Sequence, residues 1–361
     1  MKKVRNSNLE LYRIIVMLLI VAHHYVVNSG LMDVLDQQPL SGKSLFYYWF
    51  GMWGKTGINC FVLITGYFMC KSSITIRKFL KLLLQIEFYK IIIYAIFVLS
   101  GYEQLTLKGI AKAFLPVYDI SKDFSQCFLL FYLCIPFLNV LIQNLDKAKH
   151  LRLLLLCLMI YTLFSTVPKF GVTMNYVSWF AVLYILASYL RLYGLTPPYR
   201  KIFTNISITS QWGIFALLSV LVSMASVIAT LYVDKKYGLT IHPYRWVSDS
   251  NTLLAVITSV CLFMFFKDIK LKYHPLINVV GSCTFGVLLI HANSDTMRQW
   301  LWRDFLDNAG HYTSGHFALH AVLSVILIFI ICAIIDYLRQ RTVENWLFIQ
   351  VDKILQKHNL Q

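Results

Sequence analysis

The sequence is short of charged side chains, and acidic ones are the scarcest. Only 14% of the 361 residues are charged, with 17 Asp and Glu against 33 Lys and Arg. A typical soluble domain has about 25% charged residues. Hydrophobic residues make up 58% of the chain, and apolar runs long enough to cross a bilayer recur between short polar loops. This composition excludes an ordinary soluble domain and predicts an all-α, polytopic integral membrane helix bundle of about ten transmembrane helices.

Motifs of several common activities are missing as well. The eight cysteines lie nearly all within apolar segments and lack the paired CxxC spacing of a zinc site, so we interpret them as small hydrophobic residues and expect no metal. No Gly-rich phosphate loop is visible. The net charge of +16 is spread over many short loops rather than one basic patch, so we expect membrane lipids as partners and no nucleic acid.

Long apolar runs mark the predicted membrane spans. They lie at about residues 9–29, 46–69, 79–100, 125–143, 152–168, 176–194, 210–233, 250–267, 277–293 and 317–338. Arg13, His23 and His24 interrupt the first run and no small-residue cleavage site follows, so we expect an anchor helix rather than a cleaved signal peptide. Residues 1–342 then form one membrane domain. Residues 343–361 form a short cytoplasmic tail, in which residues 345–361 have the pattern of an amphipathic helix.

The distribution of basic residues orients these spans. Loops on the side of the two termini hold about twenty Lys and Arg, whereas the opposite loops hold about eleven. Because basic residues concentrate in cytoplasmic loops, we predict a multi-pass protein of the cell (plasma) membrane with both termini cytoplasmic. The loops at about residues 101–123, 234–249 and 294–316 then face the exterior.

The first predicted helix carries ionisable residues along one line. Eleven residues at about 100° each bring His24 within about 20° of Arg13 and about 16 Å along the axis, and Glu10 lies one turn below Arg13. Ionisable side chains inside a membrane cost several kcal/mol unless they face a partner or a polar cavity, so this line indicates a functional site. A structural interpretation stays open, in which Glu10 and Arg13 pair and His24 satisfies a hydrogen bond. His23 points about 100° away, and we expect it to be structural.

Two further segments hold candidate residues. Arg77, Lys78 and Lys81 follow the second predicted span, where they either act only as topology signals or bind the phosphates of an anionic substrate. His291 lies near the outer end of the ninth predicted span, in a segment rich in small and hydroxyl residues. We assign His291 to substrate binding, with a structural or solvated role as the alternative.

Four segments resemble, in chain order, segments typical of the integral membrane O-acyltransferases called the acyltransferase 3 family. They are Glu10-x-x-Arg13 with His24, residues 57–68, Lys78-x-x-Lys81, and residues 284–291. Some positions differ from the family pattern, since Glu10 stands where the family usually has Asp and the two lysines stand where it usually has Arg. The resemblance spans almost the whole chain.

This resemblance implies an O-acetyltransferase-like enzyme of polysaccharide modification. Its donor would be acetyl-CoA or another acyl-CoA from the cytoplasm, and its acceptor a cell-surface glycan or glycolipid. His24 and Arg13 would be the essential pair, with Glu10 beside them, and the basic residues 77–81 would hold the CoA phosphates. The alternative function is a polytopic transporter or flippase for a glycan or lipid, because intramembrane polar residues also line transport paths. The internal repeats common in transporters are not visible in this sequence.

Overall fold

The protein is built from helices. The computed structural model describes residues 6–118, 123–167, 170, 172, 174–198, 200, 202 and 204–357. Regular structure in these ranges is entirely helical, which confirms the predicted all-α polytopic bundle. The α-helices are α1 Ser7–Val27, α2 Leu31–Leu35, α3 Gly42–Gly51, α4 Gly54–Met69, α5 Ile76–Leu99, α6 Leu107–Phe114, α7 Phe124–Gln143, α8 Lys147–Leu158, α9 Tyr176–Tyr193, α10 Ile208–Tyr237, α11 Leu253–Asp268, α12 Pro275–His291, α13 Asp295–Gln299, α14 Phe317–Arg339 and α15 Asn345–Lys357. Short π-helical segments extend three of them, at Met159–Phe164, Trp300–Phe305 and Gln340–Glu344.

Six helical stretches in the described ranges are at least 18 residues long and apolar enough to cross a membrane. They are Ser7–Val27, Ile76–Leu99, Phe124–Gln143, Tyr176–Tyr193, Ile208–Tyr237 and Phe317–Lys357. A seventh joins them if α12 and the segment Asp295–Thr313, which are bent by 93°, form one span. The remaining predicted spans fall on shorter helices, such as α4 and α11 with 16 residues each. The polytopic bundle is therefore established, and the number of ten spans stays a prediction.

Two helices, rather than one continuous helix, occupy the predicted span at residues 46–69. α3 ends at Gly51 and α4 begins at Gly54. The break leaves the Gly51 carbonyl free to accept a hydrogen bond from His23 Nδ1 at 2.5 Å. A Cβ on Gly54 would lie 2.2 Å from the His23 ring, so this glycine lets α4 begin directly against α1. Both halves are apolar, and hydropathy alone therefore does not show the break.

Helix α1 lies at the centre of the bundle. It packs against α3, α4, α11, α12 and α14. Small residues on its neighbours allow this close packing: a Cβ on Gly57 of α4 would lie 2.7 Å from Ile20, and one on Gly281 of α12 would lie 2.5 Å from the Glu10 carboxylate. The Glu10 carboxylate is thereby buried against α12.

Helix α15 contacts the start of α5. Arg77 Nε donates to Asp352 Oδ1 at 2.7 Å, and the Arg77 guanidinium lies 4.8 Å from the centroid of the Phe348 ring. The predicted tail helix is thus confirmed over Asn345–Lys357. Residues 358–361 of the predicted tail, residue 168 of the fifth predicted span and residues 119–122 of the first outer loop lie outside the described residues.

Candidate active site

Two histidines meet where α1 contacts α12. His24 Nδ1 lies 2.9 Å from His291 Nε2, and the ring centroids are 5.1 Å apart. His291 is completely buried, whereas His24 is half-buried. The two residues are 267 positions apart in the chain, and packing of the two helices brings them together.

The hydrogen bonds of His291 determine which of the two histidines donates to the other. His291 Nδ1 lies 2.6 Å from the carbonyl oxygen of Val287, and because a carbonyl only accepts, Nδ1 carries the proton. In neutral His291, Nε2 is then unprotonated and accepts a hydrogen bond from Nδ1–H of His24. The remaining nitrogen of neutral His24, Nε2, is consequently unprotonated, which is the form that a general base requires.

His24 lines a cavity of about 140 Å³. Ile20, Ile58, Phe61 and Leu288 give it apolar walls. The polar side chains around it are those of His23, Lys55, Lys90, Asp123, Ser125, Tyr176, Asn293 and Arg298. A cavity with apolar walls and a few convergent polar groups next to a possible base has the character of an active site.

The cavity carries more positive than negative charge. Its ionised side chains are Lys55, Lys90 and Arg298 against Asp123. Lys90 and Arg298 each have a carboxylate partner, at 3.0 and 2.7 Å. Lys55 Nζ instead donates to the Tyr176 hydroxyl at 2.6 Å, and no carboxylate among the described residues forms an ion pair with it. An ammonium in this position can stabilise negative charge that develops on a reacting carbonyl oxygen.

Glu10 and Arg13 form an ion pair further along α1. Arg13 Nη1 lies 3.1 Å from Glu10 Oε1, and their side chains are 23% and 7% exposed. The predicted alignment of these two residues is therefore realised as a direct contact. Neither is among the described residues that line the cavity, so the structure brings His24 to His291 rather than to Arg13.

The chain matches a known protein family. A model of the acyltransferase 3 family, described as an acyltransferase domain, matches residues 6–337 and so includes both His24 and His291. The chain belongs to this acyltransferase family. It is therefore a membrane acyltransferase, as the resemblance implied. No curated protein and no solved structure matches the chain. The domain boundary at residue 342 stays a prediction.

The basic residues at the start of α5 in this acyltransferase contact the tail of the same chain. Arg77 binds both carboxylate oxygens of Asp352, at 2.7 and 3.1 Å, and Lys81 pairs with Glu344. Lys78 is exposed. The side chains of Arg77 and Lys81 are 51% and 49% exposed, so both remain accessible to a larger anion.

Sequence reasoning missed several side chains of the acyltransferase cavity. Lys55 and Lys90 lie within predicted spans, and an intramembrane lysine is itself a signal of a functional site. Arg298 lies in a predicted outer loop, where a basic residue carries no such signal. His23 was expected to be only structural; it does bind the Gly51 carbonyl, but its ring also lines the cavity.

The predicted substrate-binding role of His291 stays a prediction. Both of its ring nitrogens have partners within the protein, on Val287 and His24. His291 is therefore arranged to orient His24, and its ring nitrogens are not available to a substrate while those hydrogen bonds last.

Proposed function

We propose that this acyltransferase moves an acyl group, most simply acetyl, from cytoplasmic acyl-CoA to a hydroxyl of a cell-envelope glycan. The observation that carries this proposal is the directed pair of His24 and His291 on a polar cavity. Such a pair supplies a positioned base for an alcohol, which is what an O-acyl transfer requires.

In the proposed reaction, His24 Nε2 removes the proton of the acceptor hydroxyl while its oxygen attacks the thioester carbonyl carbon. A C–O bond forms and a tetrahedral intermediate carries the negative charge on oxygen. The C–S bond then breaks, and the departing CoA sulfur receives the proton that His24 took. His291 accepts the Nδ1–H bond of His24 throughout and holds its ring in one orientation.

The cations of the cavity support the same chemistry. Lys55, whose only polar partner within the described part of the chain is the Tyr176 hydroxyl, would stabilise the oxyanion of the intermediate. The loss of a single oxyanion donor costs about 10²- to 10³-fold in kcat in a well-studied hydrolase. Lys55 thus adds a second function to the cavity beside proton transfer.

The donor would be held at the opposite end of the protein. Arg77, Lys78 and Lys81 form an exposed basic cluster on α5, and guanidinium and ammonium groups favour phosphate. By loop charge this end is cytoplasmic, where acyl-CoA resides. Arg13 and Glu10 lie on α1 between this end and His24, and we propose that Arg13 acts along the path of the acyl group.

The test is a transfer assay with the full-length protein in lipid vesicles. Radiolabelled acetyl-CoA and glycan purified from the cell envelope are supplied, and free CoA thiol and base-labile acetate on the glycan are both measured. We expect equal amounts of the two products. Movement of glycan across the vesicle membrane without release of CoA would instead identify a transporter or flippase and overturn the proposal.

A further inference from the structure

A second chamber adjoins the cavity of His24. It has a volume of about 230 Å³ and lies between α5, α6, the start of α7 and residues 293–298. Both spaces are lined by Lys90, Asp123, Asn293 and Arg298, so they are contiguous. The chamber lies among segments that loop charge assigns to the exterior, and it offers a route from that side to His24.

The wall of this outer chamber differs in chemistry from the inner cavity. Among the residues that the structure describes, its lining contains no aliphatic side chain larger than that of Ala113. The other lining side chains include Tyr94, Glu103, Lys112, Tyr118, Gln126 and Thr296. A hydrocarbon chain here would remove polar groups such as those of Glu103, Lys112 and Thr296 from water, at about 1–3 kcal/mol each. A ligand rich in hydroxyl groups would satisfy both the donors and the acceptors of this wall.

Two contacts connect the segments around the chamber. Tyr102 donates a hydrogen bond to the Asp304 carboxylate, which ties the loop after α5 to the segment after α13 and raises the pKa of Tyr102 to about 12. A Cβ on Gly109 would lie 2.3 Å from the Tyr94 hydroxyl oxygen, so α6 is packed directly on α5. The chamber is therefore preformed, which lowers the entropic cost of binding a ligand.

We propose that the outer chamber binds the sugar units next to the one that is acylated. The acceptor is then a carbohydrate chain of at least two units rather than a single sugar or a lipid alcohol. This inference rests on the proposed function, since it assigns the acceptor side of the same site. The reacting sugar enters the inner cavity beside His24, and its neighbours bind between Lys112 on α6 and Thr296 on α13.

The test measures how acceptor length affects KM. The probes are oligosaccharides of one to six units prepared from the cells' own envelope polysaccharide, with acetyl-CoA as the donor. For the unmodified protein we expect KM to fall by roughly tenfold or more between one and three units, which corresponds to about 1.4 kcal/mol of added binding. Thr296→Trp fills the chamber and should abolish this dependence on length, while KM for acetyl-CoA stays unchanged.

A milder variant and a matched control accompany it. Lys112→Ala should weaken the length dependence without altering the packing, because Lys112 is exposed. Lys108→Ala, one turn away on α6 and not part of the lining, should leave it unchanged. Equal KM for all lengths in the unmodified protein, or a normal length dependence in both Thr296→Trp and Lys112→Ala, would overturn the inference. Failure of the unmodified protein to release CoA with any of these glycans would instead overturn the proposed function itself.

Discussion

At the residue scale, the site depends on which nitrogen of His24 carries a proton. The Val287 carbonyl sets the tautomer of His291, and His291 in turn sets that of His24. A His24 ring that rotated freely would present its basic nitrogen to the cavity only part of the time. In the proposed mechanism the second histidine is a positioning residue, comparable in role to the carboxylate of a Ser-His-Asp triad.

We predict that the acceptor atom at residue 291 matters more than the ring. His291→Phe keeps an aromatic ring but offers no hydrogen-bond acceptor, and we expect kcat to fall about 10²-fold or more with little change in KM for acyl-CoA. His291→Gln provides an amide oxygen that can accept the bond from His24, and it should retain a larger part of kcat. Steady-state kinetics of the two purified variants decides this, and equal losses in both would show that the hydrogen bond has no orienting role.

The sequence could predict contacts only between residues that are close together in the chain. Glu10 and Arg13 are three positions apart on one helix, so helix phase predicted their contact, which the structure shows at 3.1 Å. The partner of His24 is 267 positions away, and no periodicity connects the two. The sequence indicated both histidines as candidates, but only packing of α12 on α1 shows that they bond to each other.

At the scale of helices, hydropathy predicted the positions of the long helices but not the breaks within predicted spans. The last predicted span at 317–338 agrees with α14, Phe317–Arg339, because lipid-facing helices are apolar throughout. The break between α3 and α4 depends instead on His23 fitting against Gly54. That fit is a tertiary contact, and it also places Lys55 at the wall of the cavity.

The contact between α5 and α15 yields a prediction about donor binding. If the basic cluster holds CoA phosphates, Lys78→Ala with Lys81→Ala should raise KM for acyl-CoA more than it changes kcat, because phosphate contacts act on ground state and transition state alike. Asp352→Asn should have the opposite effect, because it removes the carboxylate that competes for Arg77. For an exposed ion pair we expect KM to fall by about twofold to fivefold.

The control for this pair of variants is Asp268→Asn, which removes the partner of Lys267 at another loop on the same predicted side. It should leave KM for acyl-CoA unchanged. An unchanged KM for acyl-CoA in the correctly inserted lysine double variant would show that Lys78 and Lys81 do not bind CoA and act only as topology signals.

At the scale of the whole molecule, the orientation in the membrane decides which end meets each substrate. Thr313→Cys lies in the predicted outer loop and Ser73→Cys in a predicted cytoplasmic loop, and both positions are exposed. The eight native cysteines are buried or half-buried, so background labelling should be low. We expect a membrane-impermeant maleimide to label Thr313→Cys in intact cells and Ser73→Cys only after permeabilisation. The reverse pattern would invert the topology.

His24 combines the proposed base with the packing of α1 on α12 and with a cavity that loop charge assigns to the outer side. The most direct measurement is acetyl transfer per correctly folded molecule for His24→Ala and His23→Ala, with folding checked by thermal unfolding. We predict that His24→Ala loses about 10²- to 10⁴-fold in kcat per folded molecule. His23→Ala should instead retain much of its activity and lose stability, because the bond to the Gly51 carbonyl is removed. Equal residual activity in the two variants, or near-normal transfer by His24→Ala, would contradict the assignment of His24 as the general base.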